Sequence, residues 1–320
     1  MNRDWLLKNF KAIFIPLVYV FFLRVFFDIA TLEQLYSVMS VSFLCISPLV
    51  VGALTVYFSE EKYARKKWYR FFIPWLPILL FLLVTITTKI EGWACWLMIL
   101  PLFLLTASLG GFIGALIKFK RKKDKFYVTA FCFLPLVLSP IENFVGAIPG
   151  TYQAYTYIDI KSTQEKIWSN VTRVREIKEE QDKGWLTKSL GFPRPVKAEL
   201  NFEGVGAYRE AKFTNGLVFH ETVSDYIDKK KMVFSIKAYP HEIPSTTMDE
   251  HIVIGGQYFD VLNGTYELEK INEKIYRLHL YSHFKLTTTF NFYASWWAKW
   301  IMKDIQNNIL QVVQYRAENE

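Results

Sequence analysis

The sequence predicts a chain in two parts. Residues 1–150 read as an α-helical transmembrane bundle of five spans. Residues 151–320 read as an α+β domain in which an antiparallel sheet wraps around a long C-terminal helix. Three observations predict this. Five apolar segments alternate with connections of alternating charge, segments of period-two hydrophobicity fill much of 152–286, and one broad apolar stripe runs from Asn291 to Tyr315 at helical spacing. A chain of 320 residues has room for about two domains.

The apolar half comes first. The segments Ala12–Ala30, Leu35–Phe58, Phe71–Thr88, Trp93–Ile117 and Phe126–Ile148 each have the length and composition to cross about 30 Å of hydrocarbon. The first follows Arg3, Lys8 and Lys11 as a signal peptide does, but it lacks a small-residue cleavage site and four more spans follow, so it reads as a retained helix. The net charge of +8 belongs wholly to this half, which holds 16 Lys and Arg against 8 Asp and Glu up to Ile148. The excess sits in alternate connections. The loop after the second segment carries Lys62, Arg65, Lys66, Lys67 and Arg70, and the loop after the fourth carries Lys118, Lys120, Arg121, Lys122, Lys123 and Lys125. The intervening loops hold no basic residue (Thr31–Gln34) or only Lys89. Basic loops stay cytoplasmic, so the expectation is a multi-pass protein of the cytoplasmic (inner) membrane. Its N-terminus would be inside and everything after Ile148 outside. A basic chain patterned this way is not read as a nucleic-acid binder; its first partner is the lipid bilayer.

Within the spans, Gly110 and Gly114 form a GxxxG that permits close helix contact, either inside the chain or in a homo-oligomer. Arg24 and Asp28 lie one turn apart and predict a local pair. Glu142 is expected to join Arg24 or to face water at the outer surface. Cys45, Cys95 and Cys132 lie apart in apolar segments and make neither a disulfide framework nor a metal motif.

In the outer half, Tyr152–Lys161 alternates as a strand, and Ser162 with Glu165 has capping-box spacing for a following helix. Gly184–Pro195 reads as irregular. Gly206–Phe213 and Leu217–Val223 predict a hairpin around Thr214-Asn215-Gly216, with Gly216 left-handed. That register sets Phe213 opposite Leu217, Ala211 opposite Phe219 and Arg209 opposite Glu221. It predicts an Arg209–Glu221 pair on an otherwise apolar concave face, either a structural ion pair or the polar anchor of a ligand cavity. Met232–Ala238 is the next strand, with Met232, Phe234 and Ile236 inward. The loop Tyr239–Gly256 contains His241, Glu242, Asp249, Glu250 and His251, without recognisable metal-ligand spacing. Asn263-Gly264 predicts a two-residue hairpin between Tyr258–Leu262 and Thr265–Ile271. Ile275–Leu286 is the last strand, with His279 and His283 outward. The terminal helix is about seven turns, roughly 37 Å long. Ala294, Trp297, Ala298, Ile301, Met302, Ile305, Ile309, Val312 and Val313 form its core stripe, while Lys299, Lys303, Gln306, Asn307, Gln311 and Gln314 lie opposite. Tyr293, Trp296 and Trp300 form a second aromatic face suited to a membrane interface.

The order of strand, short helices, antiparallel strands and long helix resembles the START-like helix-grip (SRPBCC) superfamily. The residues that carry the likeness are Ile158-Asp-Ile-Lys-Ser-Thr-Gln-Glu-Lys-Ile-Trp168, Gly204-Val-Gly206 with Arg209, Phe219-His-Glu221-Thr-Val223, Phe234-Ser-Ile236 and the terminal helix. It is most similar to the polyketide cyclase/dehydrase and lipid-transport branch, although Ser162-Thr163 stands where that branch often has Ala-Pro. The resemblance implies a deep apolar cavity between sheet and helix and transfers no catalytic motif. Ligand contacts are expected from Arg209, Glu221, Phe219, Phe234, Trp297 and Ile301. The expected function is a membrane-anchored module that holds a hydrophobic or lipid-like molecule, with no cofactor, metal or catalytic residue assigned. Two alternatives stand beside it: a cyclase or dehydratase using Arg209 and Glu221, and a structural or sensory membrane protein without a ligand.

Overall fold

The computed structural model describes residues 3–120, 125–243 and 253–320, with side chains from residue 9 and again from residue 128 after the first gap. The expectations for Arg121, Lys122, Lys123, Asp249, Glu250 and His251 lie outside the described residues. The chain divides into two compact units, Met1–Ile148 and Pro149–Glu320.

Unit 1 is helical. Its helices are α1 (Arg3–Phe27), α2 (Ser47–Phe58), α3 (Glu61–Ala64), α4 (Lys67–Phe72), α5 (Trp75–Thr87), α6 (Trp93–Phe119), α7 (Lys125–Cys132) and α8 (Leu134–Val145). Among the described residues, three helices are long and apolar enough to cross a membrane: Asn9–Phe27, Lys67–Thr87 and Trp93–Phe119. This corrects the expectation of five. The second predicted segment is helical only over Ser42–Phe58, and the fifth is broken, leaving Leu134–Val145 as a short apolar helix. Prolines account for much of this. Pro48 has no N–H for the carbonyl of Leu44, and the backbone there widens into a π-turn over Ser42–Ile46. Pro135 cannot bond back to Phe131, and the helix breaks at Phe133.

The small residues of α6 serve contacts inside the chain. A Cβ at Gly110 would lie 1.9 Å from the carbonyl oxygen of Leu49, and one at Gly114 would lie 2.2 Å from that of Ala53. The Gly110–Gly114 face is therefore covered by the Ser42–Phe58 helix of the same chain. Arg24 pairs with Asp28 at 2.9 Å, as its spacing predicts, and also with Glu91 at 2.8 Å. Glu142 does not join it. Its carboxylate accepts from the N–H groups of Val41 and Ser42 at 2.6 and 2.9 Å and from the Ser42 hydroxyl at 2.7 Å, capping the Ser42–Phe58 helix.

Unit 2 is a curled eight-stranded antiparallel sheet that grips a helix. Its elements are β1 (Gly150–Ile160), α9 (Gln164–Thr172), β2 (Arg173–Val174), α10 (Trp185–Leu190), β3 (Pro195–Glu199), β4 (Tyr208–Phe213), β5 (Val218–Ile227), β6 (Lys231–Lys237), β7 (Phe259–Lys270), β8 (Tyr276–Leu286) and α11 (Asn291–Asn319). The strand order is β1-β8-β7-β6-β5-β4-β3-β2. The core lies between the concave face and α11. Its large buried side chains include Trp168, Met232, Leu278 and Phe284.

Three local expectations are corrected here. Thr163, not Ser162, caps α9, and Ser162 instead donates to the carbonyl of Ala317 at 2.6 Å. The stretch read as irregular contains α10. Asn263-Gly264 is not a turn. β7 runs straight through it, with a register shift between Val261 and Asn263. Glycine is needed there because a Cβ at Gly264 would lie 2.3 Å from Cζ of Phe234 on the neighbouring strand.

Candidate functional site

The β4–β5 hairpin forms as the sequence predicts. Arg209 pairs with Glu221 and Ala211 with Phe219, and Phe213 N–H donates to the Leu217 carbonyl at 2.9 Å. Both Asn215 (φ 61°) and Gly216 (φ 81°) are left-handed in the turn. Period-two alternation then turns Arg209, Ala211, Phe219 and Glu221 to the concave side, where all four are buried.

Arg209 Nε donates to a Glu221 carboxylate oxygen in a close ion pair, and each residue is 4% exposed. The guanidinium also donates to the Val171 carbonyl at 3.4 Å and lies over the Phe234 ring, 4.7 Å from its centroid. Burial disfavours both charges. It pushes the Glu221 carboxyl up against the pull of Arg209. For Arg209, burial is outweighed by Glu221 and Tyr266, which hold the guanidinium above its ordinary value.

Beside this pair lies a cavity of about 70 Å³. It is bounded by Phe219, Phe234 and Tyr266 on the sheet and by Met302, Ile305 and Ile309 on α11. Exposed Lys197 and Lys212, Cα partners on β3 and β4, border it where the ladder slips between Pro195 and Lys197. Of the expected contacts, Arg209, Glu221, Phe219 and Phe234 line this space. Trp297 and Ile301 do not. The apolar stripe of α11 is longer than the cavity, and Gln306 fixes which part lies over it. That residue is buried, not outward as its polarity suggested. It accepts from Thr156 at 3.1 Å and donates to the Ala154 carbonyl at 3.2 Å and to Ser282 at 2.9 Å. These bonds set 302–309 over the cavity and leave Trp297 in a separate aromatic cluster with Trp296 and Trp300, at centroid distances of 5.0 and 5.3 Å. Its buried indole N–H has no partner among the described residues.

α11 also buries a polar side that its apolar stripe concealed. Asp304 accepts from the N–H and hydroxyl of Thr187 at 2.9 and 2.8 Å, capping the first turn of α10. Asn308 accepts from Lys183 N–H and donates to Asp182, both at 2.8 Å. Arg316 donates to the carbonyls of Arg175 and Glu176 at 3.0 and 2.7 Å. The sequence signal was an i, i+4 polar pair, Asp304 and Asn308, in the middle of a predicted core helix.

The strand histidines His220, His279 and His283 lie on the outer face of the sheet. His220 bridges the Tyr208 hydroxyl at 2.6 Å and Glu242 at 2.8 Å. His279 bonds the Tyr155 hydroxyl at 2.9 Å, and His283 bonds Asn263 at 2.8 Å. Among the described residues, no group of three or more His, Cys, Asp or Glu side chains is placed to hold a metal ion.

No family model matches the chain, and no curated protein does. Solved structures similar to it include the Zhui aromatase/cyclase from Streptomyces sp. R1128, at 13% identity over 52% of this chain and 94% of that one, with a TM-score of 0.33. Truncated norcoclaurine synthase from Thalictrum flavum matches at 12% identity over 52% and 94%, with a TM-score of 0.32. The protein XoxI from Bacillus cereus matches at 13% identity over 52% and 94%, with a TM-score of 0.28.

Proposed function

We propose that this chain is a membrane-anchored binding module whose second unit takes an apolar or amphipathic molecule between the sheet and α11. The observation that carries the reading is the cavity itself. It is an unfilled space with an aromatic and aliphatic lining and a buried ion pair at one side, at the place where the fold leaves sheet and helix apart. At about 70 Å³ it is smaller than the engineered apolar cavity of about 150 Å³ that admits benzene. It accommodates the end of a chain or a small group, not a whole lipid. A larger ligand enters only if the lining opens, and unbranched Met302 is the side chain best suited to give way.

The anchoring reading is supported by the three long apolar helices. Ser42–Phe58, at 17 residues, sits at the lower limit for a spanning helix and is needed for the basic loops to fall on one side. With Ser42–Phe58 the long helices make four crossings, so unit 2 lies opposite the N-terminus only if α7 and α8 together supply a fifth. With that fifth crossing, and the basic connections inside a cytoplasmic membrane, unit 2 lies outside.

The test of the binding reading is extraction and mass spectrometry of small molecules from detergent-purified protein, run beside Ala211→Phe, which fills the cavity. The expected result is an apolar compound that co-purifies with the natural chain and is lost from the filled variant. Nothing bound to either, or the same compound bound equally to both, overturns the reading. A second reading, a structural or sensory module without a ligand, is favoured by the small volume and by the internal pairing of the polar lining. The enzyme reading is weaker, because Arg209 and Glu221 are spent on each other.

A further inference from the structure

We propose that the first three turns of α11, together with Trp185 of α10, form a surface that lies on the anionic headgroups of the bilayer. The proposal rests on the anchoring reading above and goes beyond it by naming the part of unit 2 that meets lipid.

Phe292, Trp296 and Trp300 recur every fourth residue on one side of α11 and are 69%, 56% and 37% exposed. Trp185, 59% exposed, packs edge-on against Trp300 at 5.8 Å. It is held there because Asp304 ties α10 down through Thr187. The sequence pointed to Tyr293, Trp296 and Trp300. The structure places half-buried Tyr293 off this face and adds Phe292 and Trp185. Large rings left in water on one patch mark an interaction surface, and indoles favour the bilayer–water interface.

Charge selects the partner. Lys299 and Lys303 flank the rings on the same side of the helix. From Asn291 to Gln311 the single carboxylate is Asp304, and it is buried and bonded inward to Thr187. A face of rings and lysines without an exposed acid suits anionic lipid.

Position within unit 2 agrees. Gly150, the first residue of β1, pairs with Leu286, the last of β8. Asn291 Nδ2 donates to the Leu286 carbonyl at 3.3 Å, so α11 starts at the end of the unit where the chain enters. Lys299 lies 5.3 Å above the ring of Tyr152 in β1. Only residues 146–149 separate β1 from Val145, the last residue of apolar α8. The aromatic end of unit 2 is thus the end tethered to the apolar half.

The test uses the full chain, with its three cysteines replaced, in lipid nanodiscs containing phosphatidylglycerol. Single nitroxide labels are placed at Phe292, at Trp300, at Tyr315 in the last turns of α11, and at Leu105 in α6. Collision with oxygen is compared with collision with a water-soluble nickel chelate. The expected result is an oxygen preference at 292 and 300 severalfold above that at 315, reduced by Lys299→Glu with Lys303→Glu or by purely zwitterionic lipid. Two label sites guard against loss of one ring, and circular dichroism checks each variant for folding. Equal ratios at 292, 300 and 315, with a lipid reading at 105, overturn this proposal alone. A water reading at 105 overturns the anchoring on which it rests. Protection from both quenchers, with spin–spin broadening between chains, assigns the patch to a second copy and also overturns it.

Discussion

The Arg209–Glu221 pair permits a test in which the two halves of one interaction behave differently. Both side chains are buried, Arg209 over the Phe234 ring, and each is the other's charge partner. Removing one partner of such a pair costs about 3–5 kcal/mol, because the remaining charge is stranded away from water. The two removals are not equal. In Glu221→Gln the guanidinium stays charged, since arginine does not give up its proton in a protein. In Arg209→Met the stranded group is a carboxyl that burial already pushes up, and it can take a proton and become neutral. Glu221→Gln is therefore the more damaging change at neutral pH. The cost of Arg209→Met should also depend on pH. A carboxyl whose folded value is raised contributes its stability below the unfolded value, near about pH 4, and loses it as pH rises through the folded value. The double variant Arg209→Met/Glu221→Leu strands nothing and should regain most of the loss. Hydrogen exchange of β4 and β5 amides in the full chain reads this locally. At about 1.4 kcal/mol per tenfold, Glu221→Gln should lower protection by roughly a hundredfold to a few thousandfold. Equal damage from single and double variants, or a pH-independent Arg209→Met, would show that packing and not stranded charge sets the cost.

Three further outcomes follow from the same geometry. Gly264→Ala should destabilise unit 2 by about 1–3 kcal/mol by driving the Phe234 ring towards the cavity, and Phe234→Leu in the same chain should recover part of it; thermal melts of the four variants check this, and additive losses would count against the contact. Gly110→Ala puts a methyl against the Leu49 carbonyl and should lower the melting midpoint of unit 1 in detergent, whereas Leu116→Ala on the exposed side of α6 should lower it little; equal shifts would deny that the glycine is there for close approach. Asp159, held below the usual carboxylate range by two hydrogen bonds from Arg277 at 2.7 and 2.9 Å, contributes stability above about pH 4 that fades as pH falls through its lower folded value. The gap between wild type and Asp159→Asn should therefore close on acidification from about pH 6 to pH 2, and a gap that widens is the contrary result.

Where one face of an element is dry and the other wet, the sequence carried the structure. The register of β4 with β5 followed from alternation alone, because a one-residue slip would bury Glu210 and Lys212 in place of Arg209 and Ala211. The buried ion pair came with that register. The start of α11 at Asn291 was legible for the same reason, whereas its end was not: the helix runs to Asn319, four residues past Tyr315, where polar residues follow the stripe. What polarity hid was that α11 is buried on more than one side. Gln306 looks like a surface residue until Thr156, Ala154 and Ser282 converge on it, and those partners lie 150, 152 and 24 residues away. No local rule brings them together. The half of the site that depends on Gln306, the choice of 302–309 over Trp297 and Ile301, was therefore out of reach.

Asn263-Gly264 shows how a strong local signal loses to a distant one. The dipeptide suits a tight turn because both residues accept left-handed backbone angles. In the folded chain neither is among the residues with positive φ. Glycine is present because the ring of Phe234 occupies the place its side chain would take, and Asn263 is engaged by His283 across the strand. That ring also carries Arg209 on its face and borders the cavity. One missing methyl group on β7 thus sets where Phe234 lies, and Phe234 sets both the shelter of the ion pair and the volume left beside it. If the cavity has an occupant, its size is governed as much by Gly264, which does not line it, as by the side chains that do.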